Sequence, residues 1–368
     1  MCSSTGNTAA ARTCSTRCAE PSTPSTRPTG RSVKLCIVGA GSIGGFIAAL
    51  MAEAGHEVSI VARGAHLDAI RDGGLRLDFE GRRITAAVEA SDDPANLGPH
   101  DCVIVAVKAP SLPAVLPMLG PLLGPETPVV TAMNGIPWWM FDGFGDHDGL
   151  MLRTVDGDGA LAGFGNRERL IGCVIHIACD VPEPGLIRHN KLNRFILGEP
   201  DGTLSSRVTG MADAMTAAGI GTEATAGIQQ EVWIKLLGNL PFAPISMITG
   251  AINDVLAATP DIRRLMLDMF EEAAAVGMHF GLEPGMTAEA RIDLGGSLAG
   301  FKTSTRQDYE QGRPVELDVI VNAVREMGDI AGIDTPTIDI VYALAAQKAA
   351  IAGLYRYDGG PAEENQTA

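Results

Sequence analysis

Apolar and polar positions divide the chain into two textures. Short apolar runs alternate with helical spacing up to about residue 225, and beyond it only helical spacing remains. The first run, Leu35-Cys36-Ile37-Val38, is followed by Ile43, Phe46, Ile47, Leu50 and Met51 at steps of three and four, then by a second run at 56–61. That order reads as strand, helix, strand. Leu75, Leu77 and Phe79 alternate with Arg76 and Asp78, and a second alternating run covers 84–88, which predicts two half-buried strands around the turn Glu80-Gly81. Residues 102–107 (CVIVAV) and 128–133 (PVVTAM) are continuous apolar runs, as in a parallel sheet covered on both faces. Residues 170–177 (LIGCVIHI) and 195–197 complete the sheet, with a Pro/Gly turn at 181–185 between them. Helical periodicity then spans 226–247, 261–278, 297–310, 314–331 and 336–352. The expected fold is an α/β N-terminal domain over 33–225 followed by an all-α C-terminal domain over 226–355, with a flexible tail at 356–368.

Residues 1–32 stand apart. They are crowded with Ser, Thr and Pro, carry four arginines against the single Glu20, and hold almost no large apolar side chains. Such a segment cannot bury enough surface to offset its ordering entropy, so it is expected to be a disordered tail. An organelle transit peptide, or a start codon assigned too early, are the other readings of it. The net charge of −16 makes a polyanionic nucleic acid a poor partner. No apolar run approaches the roughly 18 residues of a membrane span, so no membrane partner is expected and the cytoplasm is the expected location. Seven cysteines form no C-x-x-C pair, which suits reduced thiols. Scattered histidines give no ligand cluster, so no metal is expected.

The candidate chemistry begins where the first strand meets the first helix. Gly39, Gly41 and Gly44 stand there at G-x-G-x-x-G spacing. The loop Gly39-Ala40-Gly41-Ser42-Ile43-Gly44 thereby offers backbone N–H groups, at the positive end of a helix dipole, to a dinucleotide pyrophosphate. Gly39 permits the tight turn, Gly41 the close approach of phosphates, and Gly44 the close packing of helix on strand. With 44 glycines in the chain the spacing is weak alone, and the βαβ context gives it weight as a Rossmann-type signature. The second strand ends at Arg63 instead of an acidic residue. A guanidinium fork matches a 2′-phosphate, which favours NADP(H) over NAD, with a solvated surface arginine as the plainer reading. Lys108 and Asn134-Gly135 end two further parallel runs, so they share with Gly39 and Arg63 the carboxyl edge where open α/β sheets bind ligands. A surface lysine and an Asn-Gly turn are the alternatives. Ala178 lies just past the 170–177 strand, where a small residue lets a ligand come close.

In the helical half, Lys235 and Asn239 interrupt an otherwise apolar helix (Val232, Trp233, Ile234, Leu236, Leu237, Leu240) and, four residues apart, project from one side. A lysine in such surroundings must find a carboxylate or a substrate oxygen, unless it snorkels to solvent. Ser304 and Asp308 share another helix face. Glu316 is expected in the first turn of a helix opened by Pro314, where dipole stabilisation alone would account for a carboxylate.

Taken in order, the Gly39–Gly44 loop, Arg63, Lys108-Ala109, Asn134-Gly135, Trp233-Ile234-Lys235-Leu236 with Asn239, Ser304 with Asp308, Glu316 in V-E-L-D, and Gly332-Ile333-Asp334-Thr335-Pro336 resemble the ketopantoate reductase (2-dehydropantoate 2-reductase) family. The resemblance covers residues 33–352. It implies a Rossmann domain, a helical domain, and a cleft between them where NADPH reduces a small 2-oxo acid, as in pantothenate biosynthesis. By position it implies Lys235 as proton donor, held by Glu316, and Asn134 against both the nicotinamide side of the cofactor and the substrate. It likewise implies Lys108, Ala178 and Glu316 against NADP, and Asn239, Asn253 and Ser304 against the substrate. One departure is Ala243-Pro244, where the family commonly has a second asparagine; a lost substrate hydrogen bond there is worth about 1 kcal/mol or more if buried. Trp138 and Trp139 look bulky for a cleft mouth. Both features leave room for another branched or aromatic 2-oxo or 2-hydroxy acid, as in mandelate-type dehydrogenases, while a non-catalytic NADP-binding sensor is the reading from another class. A homodimer is the default assembly.

Overall fold

The computed structural model describes residues 32–163 and 167–357; the expected N-terminal tail, apart from Ser32, and residues 358–368 lie outside the described residues. Ten strands form one sheet: β1 (Lys34–Val38), β2 (Glu57–Val61), β3 (Leu75–Phe79), β4 (Arg82–Ala86), β5 (Glu89–Ser91), β6 (Cys102–Val105), β7 (Val129–Ala132), β8 (Leu170–Glu183), β9 (Leu186–Gly198) and β10 (Thr222–Ala224). Their order is β4-β3-β9-β8-β7-β6-β1-β2-β5, with β10 beside β9. The run β5-β2-β1-β6-β7-β8 is parallel throughout. The chain works outward from β1 in one direction and then restarts at β6 in the other. The gap between the ends of β1 and β6 is therefore a topological switch point, where such sheets bind ligands.

Side chains of β1 explain why its run is apolar on both faces. Leu35 and Ile37 join one buried cluster with Phe46, Ile47 and Leu50, and Cys36 and Val38 join another. The second cluster continues from Val105 and Trp139 into Trp233, Met266 and Phe270, so one core runs unbroken from the sheet into the helical half. Cys36, Cys102, Cys173 and Cys179 are free thiols.

Helices are α1 (Ser42–Glu53), α2 (Gly64–Gly73), α3 (Leu112–Val115), α4 (Ser206–Ala217), α5 (Ile228–Asn239), α6 (Ala243–Thr249), α7 (Asn253–Ala258), α8 (Pro260–His279), α9 (Ala288–Gly296), α10 (Ser304–Glu310), α11 (Ala323–Ala331) and α12 (Pro336–Ile351). Past Ala224 the described residues hold no strand. The architecture is the α/β sheet plus helical region that the hydropathy pattern predicts.

Several boundaries differ, each for a local reason. The expected helix 226–247 is two helices, because Pro244, near the start of α6, lacks an N–H and cannot continue α5. Together Ile228–Thr249 are apolar enough by length and composition to cross a membrane, contrary to the reading of the runs, but 67% of that window is buried inside the protein. The expected helix 297–310 starts only at Ser304, where Thr303 caps it, since Gly300 has φ +71°. The α9 helix before it, capped by Thr287, escaped the periodicity. Ahead of α11 lies a π turn, Asp318–Asn322, and Glu316 precedes it instead of occupying a first helical turn. Strands β8 and β9 extend well past 170–177 and 195–197 as a two-stranded ribbon. Its outer part is held by charged pairs such as Arg188–Asp180 at 2.6 Å, which leave no apolar pattern.

Candidate active site

The glycine loop shows three different demands. Gly39 has φ +100°, and a Cβ there would stand 2.7 Å from Val107 Cγ1 and 2.9 Å from the Ala106 carbonyl, across the switch point. A Cβ on Gly44 would stand 2.0 Å from the Gly39 carbonyl oxygen. Around Gly41, by contrast, a Cβ would meet nothing within 4 Å. Turn and packing are fixed by two of the glycines, and the third leaves open space beside the helix end. No side chain caps α1, and Gly45 N–H closes its first turn on the Gly41 carbonyl at 2.8 Å, which leaves the N–H groups of Ser42, Ile43 and Gly44 ahead of it. An uncapped helix end beside an open cradle fits a pyrophosphate. Arg63 is exposed at the end of β2 and stands at the N-cap of α2.

On the same edge of the sheet, the helical half makes contact. Lys235 of α5 donates from Nζ to Asn134 Oδ1 at 2.6 Å, just past the end of β7. The lysine keeps some exposure, yet loss of water around its amine pushes its pKa from 10.5 down to about 8, against the smaller opposing influences of Cys173 and Glu316. Glu316 accepts from the Ala109 N–H at 3.0 Å, not from Lys235. Burial pushes the Glu316 carboxyl up, opposed chiefly by Lys108. Lys108 forms an ion pair with Asp308, which Arg313 also grips at 2.7 Å. Two loops of the sheet edge, after β6 and after β7, are thus tied to the helical half. The glycine cradle at the end of β1 and the partly desolvated ammonium, beside the end of β7, thus lie on the same edge of the sheet.

The chain matches known proteins along most of its length. The model described as ketopantoate reductase PanE/ApbA matches residues 35–202, and that of the ketopantoate reductase PanE/ApbA C terminal matches 227–349. A 2-dehydropantoate 2-reductase of Mesorhizobium japonicum is 44% identical over 88% of this chain and 100% of its own length. The chain belongs to the ketopantoate reductase family. Among solved structures, a candidate ketopantoate reductase from Ralstonia solanacearum MolK2 superposes with TM-score 0.84 at 41% identity, covering 88% of this chain and 100% of that one. A 2-dehydropantoate 2-reductase from Geobacter metallireducens GS-15 does so with TM-score 0.76 at 25% identity, over 86% of this chain and 100% of that one. A D-mandelate dehydrogenase solved with NADH and anilino(oxo)acetate shares the fold at 19% identity and TM-score 0.75. As a member of this family the protein is an NAD(P)-dependent oxidoreductase acting on a small molecule.

Within this ketopantoate reductase scaffold the remaining residues are placed unevenly. Asn239 lies one turn beyond Lys235 at the end of α5, partly exposed. Asn253 opens α7, is 4% exposed, and its Oδ1 has no hydrogen-bond partner. Ser304 opens α10 and is exposed. None of these three side chains is hydrogen-bonded to Lys235, Asn134 or Glu316. Ala178 is not past a strand but inside β8, at a bulge opposite Lys191. Trp138 and Trp139 are not at a cleft mouth: they are 8% and 1% exposed, and Trp139 Nε1 donates to Thr131 Oγ1 at 3.0 Å in the core. Ala243 is buried at the start of α6.

One group near the lysine went unread in the sequence. His176 of β8 has its pKa pushed down to about 4 by burial, then by the charges of Lys235, Arg194 and Arg291. It is therefore neutral at physiological pH beside the ammonium. Its place in an ordinary apolar strand run carries no signal of this.

Proposed function

We propose that the protein catalyses NADPH-dependent reduction of 2-dehydropantoate to pantoate, with Lys235 as the proton donor. The observation that carries this reading is the Lys235 ammonium, partly stripped of water and hydrogen-bonded at 2.6 Å to Asn134 on the edge that also bears the glycine cradle. When bound, the dinucleotide supplies the hydride. Lys235 holds a proton where negative charge would develop on the carbonyl oxygen of a 2-oxo acid, and a proton held at a pKa of about 8 transfers more readily than one at 10.5. Asn134 fixes the direction in which the amine points, and Glu316, through its field, helps keep it charged. Asn239, Asn253 and Ser304 are the proposed substrate contacts; the unpartnered Oδ1 of Asn253 is an acceptor free for a substrate hydroxyl. Lys108, Ala178 and Glu316 are proposed to face the cofactor.

The direct test is NADPH consumption with 2-dehydropantoate, run beside NADH and a panel of branched and aromatic 2-oxo acids. A clear preference for another acid would move the substrate assignment, for which Ala243 gives a specific reason. Nucleotide binding without turnover of any acid would make the protein a sensor.

Two expectations follow from single residues. Arg63→Ala should raise KM for NADPH about tenfold and leave KM for NADH unchanged, because a charge-assisted bond to a 2′-phosphate is worth about 1.5–3 kcal/mol. Equal effects on both nucleotides would mean that Arg63 does not read the phosphate. The second concerns pH. With Lys235 titrating at about 8, kcat for reduction should be level below that pH, where the donor is charged, and fall above it. Oxidation of the hydroxy acid needs the free amine and should show the opposite limb. A reduction profile that stays flat well into the alkaline range would exclude the lysine as the acid.

A further inference from the structure

We propose that Tyr355, near the end of the described chain, is a positioning residue for the Lys235–Asn134 pair, acting through Asp318 and the π turn that begins there. The inference rests on the proposed role of Lys235.

The path is short and made of named contacts. Besides the Lys235–Asn134 bond, the turn that carries Asn134 is clamped to the helical half through its backbone: Ile136 N–H donates to the Val319 carbonyl at 2.7 Å. Gly135, at φ +76°, lies so close that a Cβ would stand 2.5 Å from that same oxygen. Where Val319 goes, Asn134 goes. Val319 belongs to the π turn Asp318–Asn322, in which the Ala323 N–H reaches back to the Asp318 carbonyl. A π turn inside a helix has poorer geometry than α and persists only where its surroundings hold it, commonly at functional sites.

What holds it is a closed ring of polar contacts. Asp318 Oδ1 accepts from Tyr355 OH at 2.6 Å and from Asn322 Nδ2 at 3.4 Å. Burial, then the Asp318 charge, hold the Tyr355 phenol above its ordinary range, so it stays protonated and donates. Its one proton being spent on Asp318, the 2.7 Å contact with Tyr342 must run from Tyr342 OH to Tyr355 oxygen. Arg325 stacks over the Tyr342 ring at 4.4 Å and donates to Asn322 Oδ1 at 2.7 Å, which closes the ring. Both tyrosines are buried, at 6% and 7% exposure, so water cannot replace the lost hydroxyl of either. The same terminal segment is pinned beside Glu316, since Val315 N–H donates to the Leu354 carbonyl at 3.1 Å. Tyr355 thus bears on both the turn that holds the Val319 carbonyl and the segment bearing Glu316.

The test is Tyr355→Phe in the full chain, which removes one oxygen and keeps the ring. The expected result is a kcat lower by about tenfold with KM for NADPH nearly unchanged, within the range that small misplacements of reacting groups cost. The Lys235 titration, read by trace acetylation with acetic anhydride and mass spectrometry, should fall by about half a pH unit, because a buried amine that loses its acceptor holds its proton less tightly. A merely structural tyrosine would lower Tm and move neither. Gly135→Ala attacks the same clamp from the other side with the tyrosine ring intact, and should also lower kcat with little change in KM for NADPH. A folded Tyr355→Phe whose kcat and Lys235 titration match the wild type overturns the proposal. The labelling reads the amine without turnover. If Tyr355→Phe moves the titration while Lys235→Ala keeps a near-normal rate, the positioning stands and the acid role falls.

Discussion

Replacing Lys235 by alanine is expected to lower kcat for 2-oxo acid reduction by about a hundredfold or more, the usual contribution of a positioned general acid. NADPH binding should change little, because the lysine is hydrogen-bonded to Asn134 and not to the glycine cradle. Lys235→Met separates charge from packing, since it keeps most of the stem and removes only the ammonium. Its stability should rise. A base whose pKa falls from 10.5 to about 8 on folding binds its proton less tightly in the native state than in the unfolded chain. Below about pH 8 both states are charged and the native state bears the full cost; as pH rises through 10.5 that cost disappears. Loss of turnover together with a higher Tm at neutral pH is the signature of a strained functional group, and functional sites commonly hold such strain. Steady-state rates and thermal melts on the same two variants check it. A near-normal kcat in Lys235→Ala would refute the assignment, and an unchanged Tm in Lys235→Met would mean that the amine reaches water more freely than its surroundings suggest.

What could be read in the sequence follows from where physical demands are local. The strand before Gly39 and the helix that holds Gly44 announce themselves because a glycine at positive φ and a glycine without room for a Cβ leave no other residue choice. Lys235 stood out because a cation amid six large apolar neighbours is anomalous wherever the helix goes. Its partner was not legible. Asn134 and Glu316 both lie far from Lys235 along the chain, and nothing in composition says that the amide takes the hydrogen bond while the carboxylate turns to Ala109 N–H. The π turn was unreadable for the same reason, being held by Tyr342 and Tyr355 from another element. The outer ribbon of β8 and β9 was missed because its pairing is carried by charged residues such as Asp180 and Arg188, whereas the pattern reports only burial. Ala178 was misplaced as a consequence.

The glycine loop gives the second large effect, and a pair of alanine substitutions separates its two kinds of glycine. Gly44→Ala forces a methyl group to 2.0 Å from the Gly39 carbonyl oxygen and 2.9 Å from Ile37 Cγ2. Neither the backbone oxygen nor the buried Ile37 can give way without moving α1 off β1, and α1 buries Phe46, Ile47, Leu50 and Met51 against the sheet. The expected cost is about 3 kcal/mol or more, at the upper end for overpacking, with nucleotide affinity falling along with the fold. Gly41→Ala is the opposite case. Its φ of −63° and ψ of −169° suit alanine, and its Cβ would meet nothing within 4 Å. Stability should change little, because the poorer N-cap preference of alanine is offset by the smaller entropy its unfolded chain loses, each about 0.5–1 kcal/mol. Yet the added methyl occupies the open space where phosphates would approach the N–H groups of α1, so the Kd for NADPH should rise about tenfold or more. Melting curves and fluorescence titration with NADPH on both variants decide it. A Gly41→Ala protein that binds NADPH as tightly as the wild type would place the pyrophosphate elsewhere than the α1 N-terminus, and with it the cleft face on which Lys235 is proposed to act.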